Sequence, residues 1–348
     1  MEIALEECFP KKERFECVER RIAFTVYFSD DCVIPDRTGL LCIHGAGYSG
    51  RTFALLAQQL KQTQLDLSTF CLIAPDLRGH GDTEAFDESD LSIETMVNDV
   101  EALYSGFLKR DPLCITRLVM IGWSMGAAIA IKASLKGTIA ENVIGLIAID
   151  VVEGTAIESL KSMSSILAAR PKGFSSVESA IDWAISSGTT RRRQAAILSV
   201  PGMLKKGGVE DVQDHHCNNH RPLPIFGQAP LLDSIPETSQ ARRDAMQSEY
   251  TYTWRTPLAE SEKYWMGWFE GLSQAFLDVP CNKLLLLAGH DRLDTPLMIA
   301  QMQGKFQLAV IPKSGHAVHE DQPEIVAEKV AAFLSRYKLL QHRPILSG

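Results

Sequence analysis

The stretch Gly122-Trp123-Ser124-Met125-Gly126 restricts the fold most, because it satisfies G-x-S-x-G between a buried apolar run, Arg117 to Gly122, and an alanine-rich helical stretch, Met125 to Leu135. A chain that turns so sharply from strand to helix lifts the serine oxygen clear of the sheet, and glycine on either side removes side chains that would collide there. A serine that merely capped the helix would need neither glycine. Ser124 therefore reads as a nucleophile at a helix amino terminus.

The rest of the chain supplies the sheet that such a turn requires. FECVERRIAFTVYFS, from Phe15 to Ser29, alternates as the two strands of a hairpin, and Leu40 to His44 is a short apolar strand running into HGAGYS. Helical spacing from Arg51 to Leu60 precedes the strand FCLIAPD, which ends in Leu77-Arg78-Gly79-His80-Gly81, and Ile93 to Leu108 is again helical. Val143 to Asp150 is a sixth strand, KLLLLAG and QLAVIP are the last two, and Pro323 to Tyr337 closes the sheet as a helix. Strands and helices alternating in this way build a mostly parallel sheet with helices on both faces, in the element order of an α/β hydrolase.

The rhythm breaks after Asp150. The expected division is an α/β-hydrolase core from 1–150 and 278–348, with a helical lid at 151–277 inserted after the sixth strand. The lid should contain helices at about Ile157 to Ala169 and Val177 to Ser187, and an aromatic helix drawing on Trp254, Tyr264, Trp265, Trp268 and Phe269. The segment at about 205–248 has poor periodicity and reads as a flexible insertion. Its Asp214-His215-His216-Cys217-Asn218-Asn219-His220 holds metal-ligand residue types without the paired spacing of a structural zinc site, so no metal or organic cofactor is expected.

Charge and cysteine usage narrow the setting. The 35 Lys and Arg against 43 Asp and Glu leave a net charge of -8, which gives no electrostatic case for a nucleic acid or an anionic membrane surface. Eight scattered cysteines, several inside apolar runs, read as reduced thiols. An acidic amino terminus and the lack of a membrane-length apolar run point to a soluble, cytoplasmic protein. Arg191-Arg192-Arg193 leaves nuclear entry open, although so short a run reads first as a solvated helix face.

A serine nucleophile needs a base, an orienting acid and an oxyanion site. His316, in the loop Lys313 to Ala317 after the last strand, has the right chain order for the base. His319, followed by Glu320 and Asp321, reads as a solvated polar start to the closing helix. The acid is open between Asp150 after the sixth strand and Asp291 or Asp294 after the seventh, the position that fold habit favours. Asp150, at the end of the apolar VIGLIAID, needs a donor near the sheet rim, and an imidazole would serve. Oxyanion donors are expected from the backbone N–H groups of Met125 and of Ala46 in the His44-Gly45-Ala46-Gly47 loop, with His44 bracing that loop.

The segments HGAGYSGRTFALLA, APDLRGHGDTEAFDESDLSIETMVNDV, IGWSMGAAIA, AIDVVEGTAIESLKSM, RPKGFSSVESAIDWAISSG, YTWRTPLAESEKYWMGWFEGLSQAFL and AGHDRLDTPLMIAQMQGKFQLAVIPKSGHAVHED together resemble the protein phosphatase methylesterase family. The likeness runs from about Phe15 to the closing helix and lapses between Lys205 and Ser248. The resemblance implies a serine carboxylesterase that removes the methyl ester from the carboxy-terminal leucine of the protein phosphatase 2A catalytic subunit, without a cofactor. It also implies a triad of Ser124, Asp150 and His316, since Asp150 opens the DVVEGTA segment. The chain departs from the family pattern at Ala46, in a first loop that is usually all glycine, at Trp123, where His commonly precedes the serine, and at Ala127. Two rivals stand beside it: a general carboxylesterase or lipase acting on a small ester, with the same three residues and a different lid, and a phosphatase-binding protein without turnover, whose mark would be a lost triad member.

Overall fold

The computed structural model describes residues 3–30, 37–207, 250–289 and 293–340. Its hairpin pairs β1 (Lys11–Cys17) antiparallel with β2 (Ile22–Phe28), beginning at Lys11 rather than Phe15. The extra residues alternate between half-buried and exposed, and Lys11 lays its stem so that Nζ sits 5.4 Å from the centre of the Phe28 ring. The continuous apolar runs become β3 (Thr38–Ile43), β4 (Phe70–Pro75), β6 (Arg117–Trp123) and β7 (Val143–Ile149), with a two-residue β5 (Glu84–Ala85) pairing on β2. Between β7 and the last strands, β8 (Gly173–Phe174), β9 (Leu204–Lys206) and β10 (Tyr252–Trp254) form a separate small sheet in the order β8-β10-β9. With β11 (Asn282–Leu287) and β12 (Gln307–Val310), the main sheet runs β1-β2-β4-β3-β6-β7-β11-β12, parallel from β4 onward.

Parallel strands covered on both faces read as nearly continuous apolar runs, and their alternation divides the core in two. Leu41, Ile43, Leu118, Met120, Leu146, Ala148, Leu285 and Leu287 point to one face. There they meet α3 (Ile93–Leu103), α4 (Met125–Ala133), α9 (Glu262–Phe269), α10 (Leu272–Asp278) and α11 (Thr295–Met302). Leu40, Cys42, Val119, Ile121, Trp123, Ile147, Ile149, Leu284 and Leu286 point to the other, under α2 (Ala54–Lys61), α7 (Val177–Ser186), α8 (Arg193–Ser199) and α13 (Pro323–Arg336). The elements left over are the short α1 (Leu5–Cys8), α5 (Gly137–Asn142) and α12 (Val318–Asp321), and the long α6 (Glu153–Ala168). None of the α6 side chains is fully buried: Ile157, Leu160, Met163 and Leu167, at helical spacing, rest on the first core half-covered.

Trp254 belongs to β10 and not to the aromatic helix expected around it. Its indole N–H donates to the Pro171 carbonyl at 2.7 Å and its ring packs edge-on against Phe174 and Trp183, so side-chain contacts across the small sheet override the helical spacing. Trp265, Trp268 and Phe269 do form a helix, α9, buried in the first core. The insertion expected at 205–248 lies, from 208 on, outside the described residues, as does the histidine cluster from Asp214 to His220. The described cysteines, Cys8, Cys17, Cys42, Cys71, Cys114 and Cys281, are free thiols. Among the described residues no helix is long and apolar enough to cross a membrane.

Candidate active site

At the carboxyl end of β6 the chain turns into α4 through Ser124, whose φ of 53° and ψ of −122° lie where only glycine rests without strain. The flanking glycines are obligatory at this approach. A Cβ on Gly126 would stand 2.1 Å from the Ile43 carbonyl oxygen, and one on Gly122 would stand 2.4 Å from the Ala127 Cα. Ser124 makes no side-chain cap bond to α4 and is the one residue from Ile121 to Ala130 that is not fully buried, which disposes of the capping role.

At the next strand end, Asp150 also holds a positive φ of 51°. Its backbone N–H donates to Leu286 at 2.7 Å, which pins the residue to β11. One carboxylate oxygen accepts the Ala288 N–H at 2.7 Å and the other meets His316 Nδ1 at 2.7 Å. The N-cap of α6 is Val152, so Asp150 is not a helix cap. Only 5% of the Asp150 side chain is exposed, against 59% for His316. With Nδ1 spent on the carboxylate, His316 keeps Nε2 for proton transfer. Ser124 Oγ and the imidazole share no hydrogen bond, the ring being bonded through Nδ1 to Asp150.

The rival acids fall elsewhere. Asp294 caps α11 by accepting the Leu297 N–H at 3.2 Å and also takes the Ser273 hydroxyl, so it has no part in the His316 contact. Asp291 lies outside the described residues.

Around the first loop two buried imidazoles complete each other's surroundings. His44 accepts the Leu77 N–H at Nε2 and donates from Nδ1 to Gly45, while His80 accepts the Gly47 N–H at Nε2 and donates from Nδ1 to Arg78. Both are held neutral by burial, His80 down to about 4, because a charged ring would leave an N–H facing each backbone donor. His44 thus braces the loop as expected; His80 was legible only as part of LRGHGDT. With the Gly47 N–H taken by His80 and the Tyr48 N–H by the Gly45 carbonyl, the Ala46 N–H has no acceptor among the described residues. The Met125 N–H, in the first turn of α4, has no intrahelical acceptor either.

His319 corrects the sequence reading. It is fully buried rather than solvated, stacked on Phe53 at 4.8 Å and tilted against Trp123 at 4.9 Å, and Glu320 and Asp321 are buried beside it. Thr52 donates to Glu320 Oε1 at 2.5 Å and lies 2.8 Å from His319 Nε2. A hydroxyl has one hydrogen, so His319 must donate from Nε2, which leaves Nδ1 a bare acceptor without a partner. Burial pushes His319 down to about 3 and Glu320 up to about 7. An acidic run at a helix start gave no sign that the segment turns inward.

Trp123 was singled out only as a bulky departure beside the serine. Its side chain is buried on the second face of the sheet, tilted against the His316 ring at 5.3 Å, and its Nε1 donates to the His316 carbonyl at 2.9 Å.

Similarity to known proteins identifies the family to which such a fold belongs. The profile of the alpha/beta hydrolase family matches residues 40–329. A probable protein phosphatase methylesterase 1 of Caenorhabditis elegans is 41% identical over 301 residues, covering 86% of this chain and 69% of that protein. The protein phosphatase methylesterase 1 of Bos taurus is 42% identical over 314 residues, covering 87% and 78%; that of Schizosaccharomyces pombe is 36% identical over 302 residues, covering 87% and 76%. Among solved structures, E-2-(acetamidomethylene)succinate hydrolase superposes with a TM-score of 0.65 at 17% identity, over 93% of this chain and 99% of that one, a likeness of fold.

Proposed function

Because the chain belongs to the α/β-hydrolase family and, within it, to the protein phosphatase methylesterases, we propose that it is a carboxylic ester hydrolase demethylating the carboxy-terminal leucine methyl ester of the protein phosphatase 2A catalytic subunit. The observation that carries the chemistry is the 2.7 Å contact between Asp150 Oδ2 and His316 Nδ1, set beside a strained serine turn. The partner is the phosphatase, presenting its carboxymethylated tail. Residues 151–277 serve as the lid over a core of 1–150 and 278–348. Cytoplasm, and the nucleus with it, is the setting we take for the reaction.

In this mechanism Ser124 Oγ attacks the ester carbonyl carbon and His316 Nε2 takes its proton, while Asp150 holds the imidazole in the Nδ1–H tautomer. The Met125 and Ala46 N–H groups receive the oxyanion. Collapse of the tetrahedral intermediate expels methanol, which leaves with the proton from His316. Water then attacks the acyl-enzyme, passes a proton to His316, and frees the carboxylic acid and the serine hydroxyl. Every group required is a side chain or backbone N–H of the chain itself. The exposure of His316 favours an extended protein tail over a small ester enclosed in a cavity.

The test measures methanol release from carboxymethylated phosphatase 2A against hydrolysis of a simple acyl ester, for wild type and Ser124→Ala. A large preference for the protein ester, lost with the serine, is expected. Equal catalytic efficiency on both substrates would make this a general esterase, and Ser124→Ala labelled by a fluorophosphonate at the wild-type rate would dismiss the nucleophile.

A further inference from the structure

His316 presents an unusual problem of support. More than half of its side chain is open to solvent, and the ring itself is held by Asp150 and, on one side, by the Trp123 indole tilted against it at 5.3 Å. General-base catalysis still needs the ring nitrogen within hydrogen-bond reach of the serine, and a displacement of about 1 Å costs on the order of 100-fold in rate. The backbone around His316 is where the restraint lies.

On one side, the Gly315 N–H donates to Asp321 Oδ2 at 2.6 Å. Asp321 is in α12, its side chain 2% exposed, and its other oxygen accepts the Arg191 N–H at 2.7 Å and the Thr190 hydroxyl at 3.4 Å. Arg191 reaches back to the same loop, donating from Nη1 to the Lys313 carbonyl at 3.2 Å. One buried carboxylate thus joins the base loop to the segment that enters α8. On the other side, Trp123 Nε1 donates to the carbonyl of His316 itself at 2.9 Å. That indole is fixed by its own neighbours: Tyr48 packs edge-on at 4.6 Å, His319 lies at 4.9 Å, and a Cβ on Gly45 would come within 2.8 Å of the ring. Trp123 also directly precedes Ser124, so the turn that presents the nucleophile holds the backbone of the base.

We propose that Trp123 and Asp321 are positioning residues for His316, clamping its loop at the Gly315 N–H and the His316 carbonyl so that the imidazole stays within reach of Ser124. Neither touches substrate. The proposal rests on His316 being the base, and extends it to what holds that base in place.

The experiment compares wild type, Trp123→Phe, Asp321→Asn, the double variant and His316→Ala. Phe keeps an aromatic ring against the same neighbours and removes the indole N–H; Asn has one acceptor oxygen where two backbone donors converge. Labelling by a fluorophosphonate gives two numbers: the fraction labelled at completion counts competent molecules, and the rate constant reports the reactivity of each. Methanol release from carboxymethylated phosphatase 2A gives kcat per competent molecule and KM. A merely structural role lowers the competent fraction and leaves the rate constant alone. Positioning predicts rate constants and kcat about 10- to 100-fold lower per competent molecule, with KM within twofold. Since both residues hold one loop, the double variant should lose less than the product of the single losses. A variant whose labelling rate stays within twofold of wild type removes that residue from the role, and both doing so overturns the proposal. Should Asp321→Asn not fold, Trp123→Phe decides. Labelling of His316→Ala at the wild-type rate would instead refute the base itself, a failure distinct from unaffected clamp variants beside a dead His316→Ala.

Discussion

Asp150 Oδ2 and His316 Nδ1 meet at 2.7 Å across 166 residues of chain, and the second Asp150 oxygen is already committed to the Ala288 N–H at 2.7 Å. The carboxylate therefore cannot rotate without giving up a bond. In Asp150→Asn the amide NH2 must face either the imidazole N–H or the Ala288 N–H, so one contact becomes repulsive or the tautomer changes. Turnover, read as methanol release, should fall by about 10³ to 10⁴. Near-normal turnover here, with collapse in Asp291→Asn, would move the acid from the end of β7 to the segment after β11.

Asp294 offers the complementary case, because its carboxylate caps α11 and bonds Ser273. Asp294→Ala should cost about 1 kcal/mol of stability through the lost cap, measured by urea unfolding, while kcat/KM holds within a few-fold. An activity loss as deep as that of Asp150→Asn would show that the acid after β11 takes part after all.

The glycines of the turn divide by what lies around them. Gly126→Ala would drive a methyl into the Ile43 and His44 carbonyl oxygens, both backbone and neither free to move, so a loss of about 3 kcal/mol or more is expected, with poor soluble yield. Gly267, inside α9 with nothing within 4 Å of its added methyl, should behave in the opposite way, with Gly267→Ala stabilising by up to about 1 kcal/mol. Thermal melts of the two variants test the contrast.

Glu320 makes stability depend on pH. Burial raises its folded pKa to about 7, from an ordinary 4.5, so between these values the folded state binds the proton more tightly than the unfolded chain. That advantage is complete below about pH 4.5 and disappears as pH rises through 7. Glu320→Gln removes the ionisation, so the wild type should lose on the order of 3 kcal/mol relative to the variant between pH 5 and pH 8. Asp76, raised to about 7 for the same reason, slopes the same way in both proteins and cancels from the comparison. Parallel melting temperatures for the two proteins across this range would contradict the buried-carboxyl account.

The strands were legible because burial on both faces forces nearly unbroken apolar runs, and the strand-to-helix turn at Ser124 because two glycines flank it for steric reasons that the structure makes explicit. The choice among Asp150, Asp291 and Asp294 was not legible from pattern, since a carboxylate after either strand satisfies the chain order; the resemblance pointed to Asp150, the residue that the structure brings to His316. His319, Glu320 and Asp321 misled because polar residues at a helix start ordinarily face water, and only tertiary contact with Thr52, Phe53 and Thr190 turns them inward. Trp254 misled for a related reason, its place in a strand being fixed by partners far away in sequence. His80 and Trp123 stood in plain view but without a partner to give them meaning.

The alternation of the sheet has one consequence for how this site is inherited. Trp123 reaches the His316 carbonyl because it stands an even number of positions from Val119 and Ile121, on their face of β6. One residue inserted within the strand would leave a run just as apolar and a sheet able to pair, yet would reverse the parity of everything before the insertion relative to the serine turn. Exchanges among Val, Ile, Leu and Met along this strand should each cost about 1 kcal/mol, whereas a single added residue would turn one part of the strand to the wrong face, so the register of the turn is written as a count of residues as much as in their identity.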